Sequence, residues 1–391
     1  MVEFDEALEI IRNQVYTLET EKQPLHNSVN RILAEDIFSD VDMPPFNKSA
    51  MDGYACRRGD LDNSLEIIET VRAGDIPGKT IGENQCVKIM TGARVPEGAD
   101  CVIMVEHTVQ DEAGYIRFAG QKTAGNIAFK GEDLKNGDLV LPGGCLIGPQ
   151  HIAMLASAGC TMPTLYRQPK VAIMTTGDEI VEPDKKPSGT SIRNSNGPQL
   201  VAQAKKMGIT PQYLGIVKDT PGATDSAIKS ALKNNDLIII TGGVSMGDYD
   251  FVPSVLRENG FTLFFEKVAV KPGRPTVFGK KDNVFLFGLP GNPVSSFMIF
   301  ELMVKPLIYN LMGHIYEPAP VRMPVGGDYS RKKADRVAWI PVFLNSRGEI
   351  IPVDYHGSAH IHSLGDAWGL MRMTKDVYSF KKGDMVNVRQ I

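Results

Sequence analysis

The stretch that most constrains this chain is Asp236 to Asp250, Asp-Leu-Ile-Ile-Ile-Thr-Gly-Gly-Val-Ser-Met-Gly-Asp-Tyr-Asp. Leu237 to Ile240 are apolar without alternation, the pattern of a parallel strand covered by helices on both faces. Gly242, Gly243 and Gly247 then leave a loop with few side chains, where backbone N–H groups can approach an anion, and a periodic stretch from Phe251 predicts a helix. The carboxylates of Asp248 and Asp250 stand where a hard cation could bridge protein and phosphate. Alone, such a loop reads more simply as a tight turn with an N-capping Asp. Its neighbours change that.

The flanking chain alternates strands and helices. Val171 to Met174, Tyr213 to Val217 and Val284 to Leu289 read as strands; helices follow Gly197-Pro198, Thr220-Pro221 and Asn292-Pro293, the last running through about Leu311. This grammar predicts a right-handed, doubly wound parallel sheet over 170–316. Earlier, Phe4, Ala7, Leu8, Ile11 and Val15 recur at helical spacing, with Gln150 to Gly159 as the expected packing partner. That pairing makes 1–40 and 139–169 one discontinuous domain around an inserted β domain, 41–138, with β-like stretches at Glu66 to Val71 and Cys101 to Val105. Short strands and turns from 317 to 391 read as a C-terminal β domain. The fold class is therefore multidomain, α/β plus β.

A length of 391 residues implies roughly two to four domains. The formal charge of −4 offers a nucleic acid no electrostatic footing, the acidic N-terminus is no signal peptide, and no apolar run approaches membrane-spanning length. The expected compartment is the cytoplasm. Five cysteines without a C-x-x-C pair argue against a disulfide framework or a zinc site and read as small buried thiols.

Ligands of open parallel sheets sit beyond the carboxyl ends of the strands. Thr175-Thr-Gly-Asp-Glu179 repeats the Thr-Gly punctuation of the central loop, and Asp219 follows a third strand. Any one of Asp178, Glu179 and Asp219 is as readily a turn or cap residue; three such loops on one edge favour a site. Lys267 and Lys271, four apart on a presumed strand, would share a face, with Arg274 in the next turn as a third cation; a solvated edge strand is the plain alternative. Leu289-Pro-Gly-Asn-Pro-Val-Ser-Ser296 opens a helix as a natural oxyanion cradle, through Pro290, Gly291 and Ser295. Gly74-Asp-Ile-Pro-Gly-Lys-Thr80 is one residue short of a P-loop, no G-x-G-x-x-G follows a strand, and His356, His360 and His362 are read as exposed or structural. The residues alone point to a phosphate-bearing small ligand with Mg²⁺, and to phosphoryl or nucleotidyl chemistry.

An ordered series of motifs adds to this: Pro44-Pro-Phe-Asn-Lys-Ser-Ala-Met-Asp-Gly-Tyr-Ala55, Met90-Thr-Gly-Ala93, Gly131-Glu-Asp133, Thr176-Gly-Asp-Glu179, Gly242-Gly-Val-Ser-Met-Gly-Asp248, Lys271-Pro-Gly-Arg-Pro275 and Leu289-Pro-Gly-Asn-Pro293. Across nearly the whole chain it resembles the MoeA-type molybdopterin molybdenumtransferases, which are similar to the E domain of gephyrin. The resemblance implies insertion of molybdate into adenylylated molybdopterin with Mg²⁺ and release of AMP. It also implies an elongated α+β form for the discontinuous domain, a MogA-like central domain, a barrel-like C-terminal domain, and a homodimer whose cleft is shared between subunits. Carried over by motif, Glu179, Asp219, Asp248 and Asp250 would serve the cation and nucleotide. Ser245, Gly242 and Gly243 would hold phosphate or pterin; Lys267, Lys271 and Arg274 would bind oxyanions. Asp52, Thr91 and Asp133 would complete the neighbour's cleft. Arg274 stands where the family usually has Lys, and the stretch around Ser358 matches only loosely, which leaves roles for Ser358 and Arg336 open. The alternatives are the pathway's adenylyltransferase, which could also be a partner, and a gephyrin-like scaffold.

Overall fold

The computed structural model describes residues 1–244, 251–353 and 357–391; Ser245, Asp248, Asp250 and His356 lie outside them. The chain forms two compact units, one of Met1–Glu35, Gly144–Gly148 and Pro163–Ile391, the other of Asp36–Gly143 and Pro149–Met162.

The first unit opens with helix α1 (Phe4–Gln14) and is built on a six-stranded sheet. In chain order its elements are β1 (Val171–Thr176), α2 (Asn196–Lys206), β2 (Gln212–Val217), α3 (Pro221–Leu232), β3 (Leu237–Thr241), α4 (Val252–Glu258), β4 (Thr262–Phe265), β5 (Val277–Lys281) and β6 (Val284–Leu289). Their spatial order is β2-β1-β3-β6-β5-β4, with the first four parallel. The chain steps outward from β1 to β2 and then inward past β1 to β3. Strand order therefore reverses between β1 and β3, and a crevice opens at their carboxyl ends.

The unbroken apolar run of β3 has the predicted cause. Leu237 and Ile239 join a core cluster with Leu200 and Ala204 of α2, whereas Ile238 and Ile240 face Ile228 of α3 and Val255 of α4. These four apolar side chains of β3 are fully buried, each contributing about 1.5–3 kcal/mol. The edge departs from a purely parallel sheet, because β5 and β6 run antiparallel. Only Asp282 and Asn283 separate them, and Asp282 takes a φ of +50°, so the connection is a tight hairpin with no room for a crossover.

Two expectations are corrected. The apolar face of α1 does not pack on Gln150 to Gly159. Phe4, Ala7 and Ile11 enter the core cluster of the first unit; Phe4 lies 5.8 Å from Trp339 between ring centroids, and Asp5 pairs with Arg372 at 2.6 Å. Periodicity reveals an apolar face without naming what covers it. In the second unit Pro149–Ser157 forms a helix of its own, with Leu155 buried. The second correction concerns Pro293–Leu311, which is long and apolar enough to cross a membrane by length and composition. It comprises α5 (Pro293–Ile299), a π-helical turn over Phe300–Val304, and α6 (Lys305–Leu311). With 78% of its apolar window buried in the protein, it is a core helix. Its buried Glu301 accepts from Lys305 at 3.0 Å and from Gln203 at 2.9 Å, which satisfies the charge internally.

After α6 come β7 (Val321–Pro324), β8 (Val337–Leu344), β9 (Gly369–Met373) and β10 (Met385–Gln390), a β region as expected. They pair in the order β8-β9-β10-β7, and Val270–Lys271 adds to the free side of β8. The second unit carries a four-stranded sheet in the order Glu66–Val71, Gln85–Ile89, Gly53–Cys56, Cys101–Met104, with an apolar cluster on each face.

Ile239 sits at the centre of the parallel sheet with 0% exposure. Ile239→Ala is expected to lower the stability of the first unit by about 2–5 kcal/mol, read by urea denaturation of the full chain.

Candidate functional site

The carboxyl ends of β1, β2, β3 and β6 converge on a cavity of about 590 Å³, within the usual range for small-molecule sites. Thr175 and Thr176 end β1, with Gly177 and Glu179 after them; Asp219 follows β2; Thr241 ends β3, with Gly242 to Val244 after it; and Pro290 to Pro293 follow β6. Pro275 and, from the C-terminal region, Ala359 and Ile361 complete the wall.

Glycine is required at this edge for steric reasons. Gly242 has a φ of +98°, and a Cβ there would stand 2.5 Å from the Thr176 carbonyl oxygen. Gly243 has a φ of +64°, and a Cβ would stand 3.0 Å from Thr176 Oγ1 and 3.5 Å from Asp219 Oδ1. The Gly242 N–H donates to the Leu289 carbonyl at 3.1 Å. Gly242 thus knits the ends of β3 and β6 together, and its N–H is already engaged.

Two buried asparagines at the start of α2, Asn194 just before it and Asn196 its first residue, hold the loops in register. Asn194 Nδ2 donates to Thr175 Oγ1 at 3.0 Å and to the Tyr213 hydroxyl at 2.7 Å, while its Oδ1 accepts from the Gly197 N–H at 3.0 Å. It therefore ties β1 to β2. The Tyr213 hydroxyl in turn donates to Glu182 at 2.9 Å; burial and that carboxylate push its pKa up to about 12. Asn196 Nδ2 donates to Thr241 Oγ1 at 2.9 Å and to the Gly291 carbonyl at 2.7 Å, tying β3 to β6. The Gly291 carbonyl can only accept, and the Thr241 hydroxyl gives its proton to the Pro290 carbonyl at 3.0 Å. The amide orientation follows, leaving Asn196 Oδ1 as an acceptor. Among the described residues it and Thr176 Oγ1 are buried without a partner. A buried polar atom left unpaired costs about 1–3 kcal/mol, so the paired atoms of this cavity wall are structural and the unpaired ones await a ligand or water.

The predicted residues divide clearly. Glu179, Asp219, Gly242, Gly243, Pro290 and Gly291 line the cavity. Asp178 does not; its Oδ1 accepts from the Asp219 N–H at 3.2 Å and so fixes the β2 loop. Ser295 is 3% exposed inside α5, away from the cavity wall. The cationic segment differs most from expectation. Val268 N–H bonds the Arg274 carbonyl at 3.0 Å, Val270 N–H bonds the Val268 carbonyl at 2.8 Å, and only Val270–Lys271 is strand. Pro272 and Pro275 cannot donate to a ladder, so the chain folds back and the same-face argument for Lys267 and Lys271 fails. Neither lysine nor Arg274 is in the cavity wall, although Pro275, next to Arg274, is. In the second unit, Asp52 Oδ1 accepts from the Thr91 N–H at 2.6 Å and the Thr91 hydroxyl at 2.8 Å, which holds its pKa below the usual carboxylate value. Asp133 lies in a separate turn, its N–H on the Met43 carbonyl at 3.0 Å. Ser358 accepts from Asn292 Nδ2 at 2.8 Å beside the cavity, whereas Arg336 pairs with Asp335 at 3.3 Å and is not in its wall.

Sequence reading missed Arg193, the one cation lining the cavity among the described residues, together with Asn194, Asn196, Asn292 and Ile361. The signal is the polar cluster Arg193-Asn-Ser-Asn-Gly197 at the start of a helix, of which the sequence reading uses only Gly197-Pro198, as a helix opening. With two carboxylates and one guanidinium, the described wall does not attract an anion by itself. Among the described residues no group of three or more His, Cys, Asp or Glu gathers as a metal site; Glu179 and Asp219 are the two carboxylates of the wall, and Mg²⁺ commonly takes one or two with substrate phosphates and water.

Comparison with known proteins gives consistent matches along the chain. Residues 2–159 match the MoeA N-terminal region (domain I and II), residues 172–310 a probable molybdopterin binding domain, and residues 327–391 the MoeA C-terminal region (domain IV). A molybdopterin molybdenumtransferase of Staphylococcus epidermidis is 35% identical over 393 residues, covering 98% of this chain and 94% of that protein. A Staphylococcus aureus protein of the same name is also 35% identical, over 394 residues with the same coverage. The crystal structure of the molybdopterin biosynthesis MoeA protein from Pyrococcus horikoshii OT3 superposes with a TM-score of 0.84 at 28% identity, covering 100% of both chains. With relatives of that identity over almost its entire length, the chain belongs to the MoeA family of molybdopterin molybdenumtransferases.

Proposed function

We propose that this protein inserts molybdenum, delivered as molybdate, into adenylylated molybdopterin and releases AMP. The observation that carries the reading is the cavity at the switch point, with buried, unpartnered Asn196 Oδ1 and Thr176 Oγ1 on residues of its wall and carboxylates on two of its loops. An adenylyltransferase would account for the central region alone, whereas likeness to the molybdenumtransferases extends over the N-terminal and C-terminal regions as well. The same cavity argues against a purely scaffolding role.

Within this reading, each wall residue has a physical task. Asn194 and Asn196 keep the strand-end loops at fixed separation, so a bound substrate meets a preorganised surface. Gly242 and Gly243 let the substrate approach the backbone closely. Arg193 at the wall, with Lys267, Lys271 and Arg274 on the loop that leads to Pro275, offsets the charge of an incoming dianion. Ser245, Asp248 and Asp250, which follow β3 in sequence and lie outside the described residues, would add donors and acids. Glu179 and Asp219 would hold Mg²⁺, and bound there it supplies charge neutralisation to a phosphoanhydride. Electrostatic stabilisation of this kind, with positioning, is the main means by which proteins promote such transfers.

The proposal includes a cytoplasmic homodimer in which Asp52, Thr91 and Asp133 of one copy complete the cavity of the other, and which receives its substrate from the adenylyltransferase of the pathway. The Asp52–Thr91 clamp supports this, because it presents an ionised carboxylate on an exposed turn with no charged partner among the described residues.

Two measurements test the reading. Incubated with adenylylated molybdopterin, Mg²⁺ and molybdate, the protein is expected to release AMP in proportion to molybdate, and Glu179→Gln to lower the rate by about 10²-fold or more with folding intact; molybdate-independent release would contradict it. Mixing inactive Asp52→Ala and Glu179→Ala proteins is expected to restore roughly a quarter of wild-type activity through mixed dimers, whereas no recovery after subunit exchange would refute the shared cavity.

A further inference from the structure

The second unit holds a row of thiols that the proposed reaction does not use. Cys56, Cys86 and Cys101 are each 0% exposed and belong to one apolar cluster, so they share one face of the four-stranded sheet. Strand register places Cys56 directly opposite Cys86 on one side and Cys101 on the other. Only one pair is in close contact: Cys56 Sγ and Cys101 Sγ lie 3.6 Å apart. A disulfide needs neighbouring Cα atoms about 4.4–6.8 Å apart, which directly opposed residues of an antiparallel pair provide.

From this geometry we infer that Cys56 and Cys101 form a reversible cross-strand disulfide on exposure to a hydroperoxide. Position in the ladder supplies access. Cys56 is the last residue of its strand and Cys101 the first of its own, so the pair sits where the sheet ends and frays most readily. Cys86 lies one residue inside its strand. Polar groups gather at the same end: Asp100, exposed, accepts from the Arg58 N–H at 2.6 Å, and the Arg58 guanidinium is anchored on the Thr123 carbonyl at 3.1 Å. The Cys56 thiol, hydrogen-bonded toward Cys101, holds the Cys101 thiol below its usual pKa, which favours Cys101 as the attacking sulfur.

The step balances with hydrogen peroxide as oxidant. The Cys101 thiolate attacks one peroxide oxygen, the O–O bond breaks, and the departing hydroxide takes a proton to become water. The Cys56 sulfur then attacks the resulting sulfenic sulfur, displaces its hydroxyl, and the Cys56 proton leaves with it as a second water. Two thiols are oxidised to one disulfide while one peroxide is reduced to two waters. Dithiothreitol reverses the change.

The test uses the native full-length protein. After brief treatment with hydrogen peroxide and alkylation in denaturant, alkylatable thiols are expected to fall from five to three, and a non-reducing digest to yield one linked pair, Cys56 with Cys101. Cys86→Ala is expected to form the same link. Five remaining thiols, a link involving Cys86, Cys145 or Cys160, or loss of the link in Cys86→Ala would each overturn the assignment. The wild-type digest decides the matter even if a variant folds poorly.

Discussion

Parallel strands deliver their carboxyl ends to one edge of the sheet, and in this chain that constraint organises everything else. Because both faces of β1, β3 and β6 are covered by helices, neither face is free to bind a ligand. The edge is where backbone leaves the sheet without a regular partner, and the β1/β3 reversal opens space there. The loops carrying Thr176, Asp219, Gly243 and Gly291 are thus brought to one place by topology before any side chain is considered.

Topology alone leaves such loops free to move, and the asparagines supply what it lacks. Asn194 and Asn196, two residues apart, bridge successive pairs of strand ends, β1 with β2 and β3 with β6. Each amide bond contributes only about 0.5–1.5 kcal/mol, but those of Asn194 to Thr175 and of Asn196 to Thr241 are buried, where breaking one would strand its partner. The unpartnered Asn196 Oδ1 fits the same picture, since a site built to receive a ligand keeps a polar atom unmatched until the ligand or a water arrives.

How much of this was legible in the sequence depended on how local the cause was. The strands at Val171, Leu237 and Val284 and the Thr220 cap, whose side chain accepts from the Ala223 N–H, were legible because pattern and capping act over a few residues. Glu179 and Asp219 were placed at the cavity for a related reason: once the strands are known, so are their carboxyl ends. The partner of α1 was not legible, because an apolar face fits many surfaces. The shared face of Lys267 and Lys271 was misread, because it assumed a straight strand across two prolines that fold the chain back. Asn194 and Asn196 were missed because their effect spans strands far apart in sequence.

The second unit contributes a different chemistry, a sheet whose Asp52 turn is locked by Thr91 and whose core contains three thiols. Both units enter the proposed function, but the central claim concerns the first: that the switch-point cavity is where nucleotide and oxyanion meet. A crystal structure of the protein soaked with AMP and molybdate tests it most directly. Ligand density bordered by Thr176, Asn196, Asp219, Gly243 and Gly291 is the predicted result; density confined to the groove beside Lys79 and Arg94 of the second unit, with the cavity empty, would contradict it.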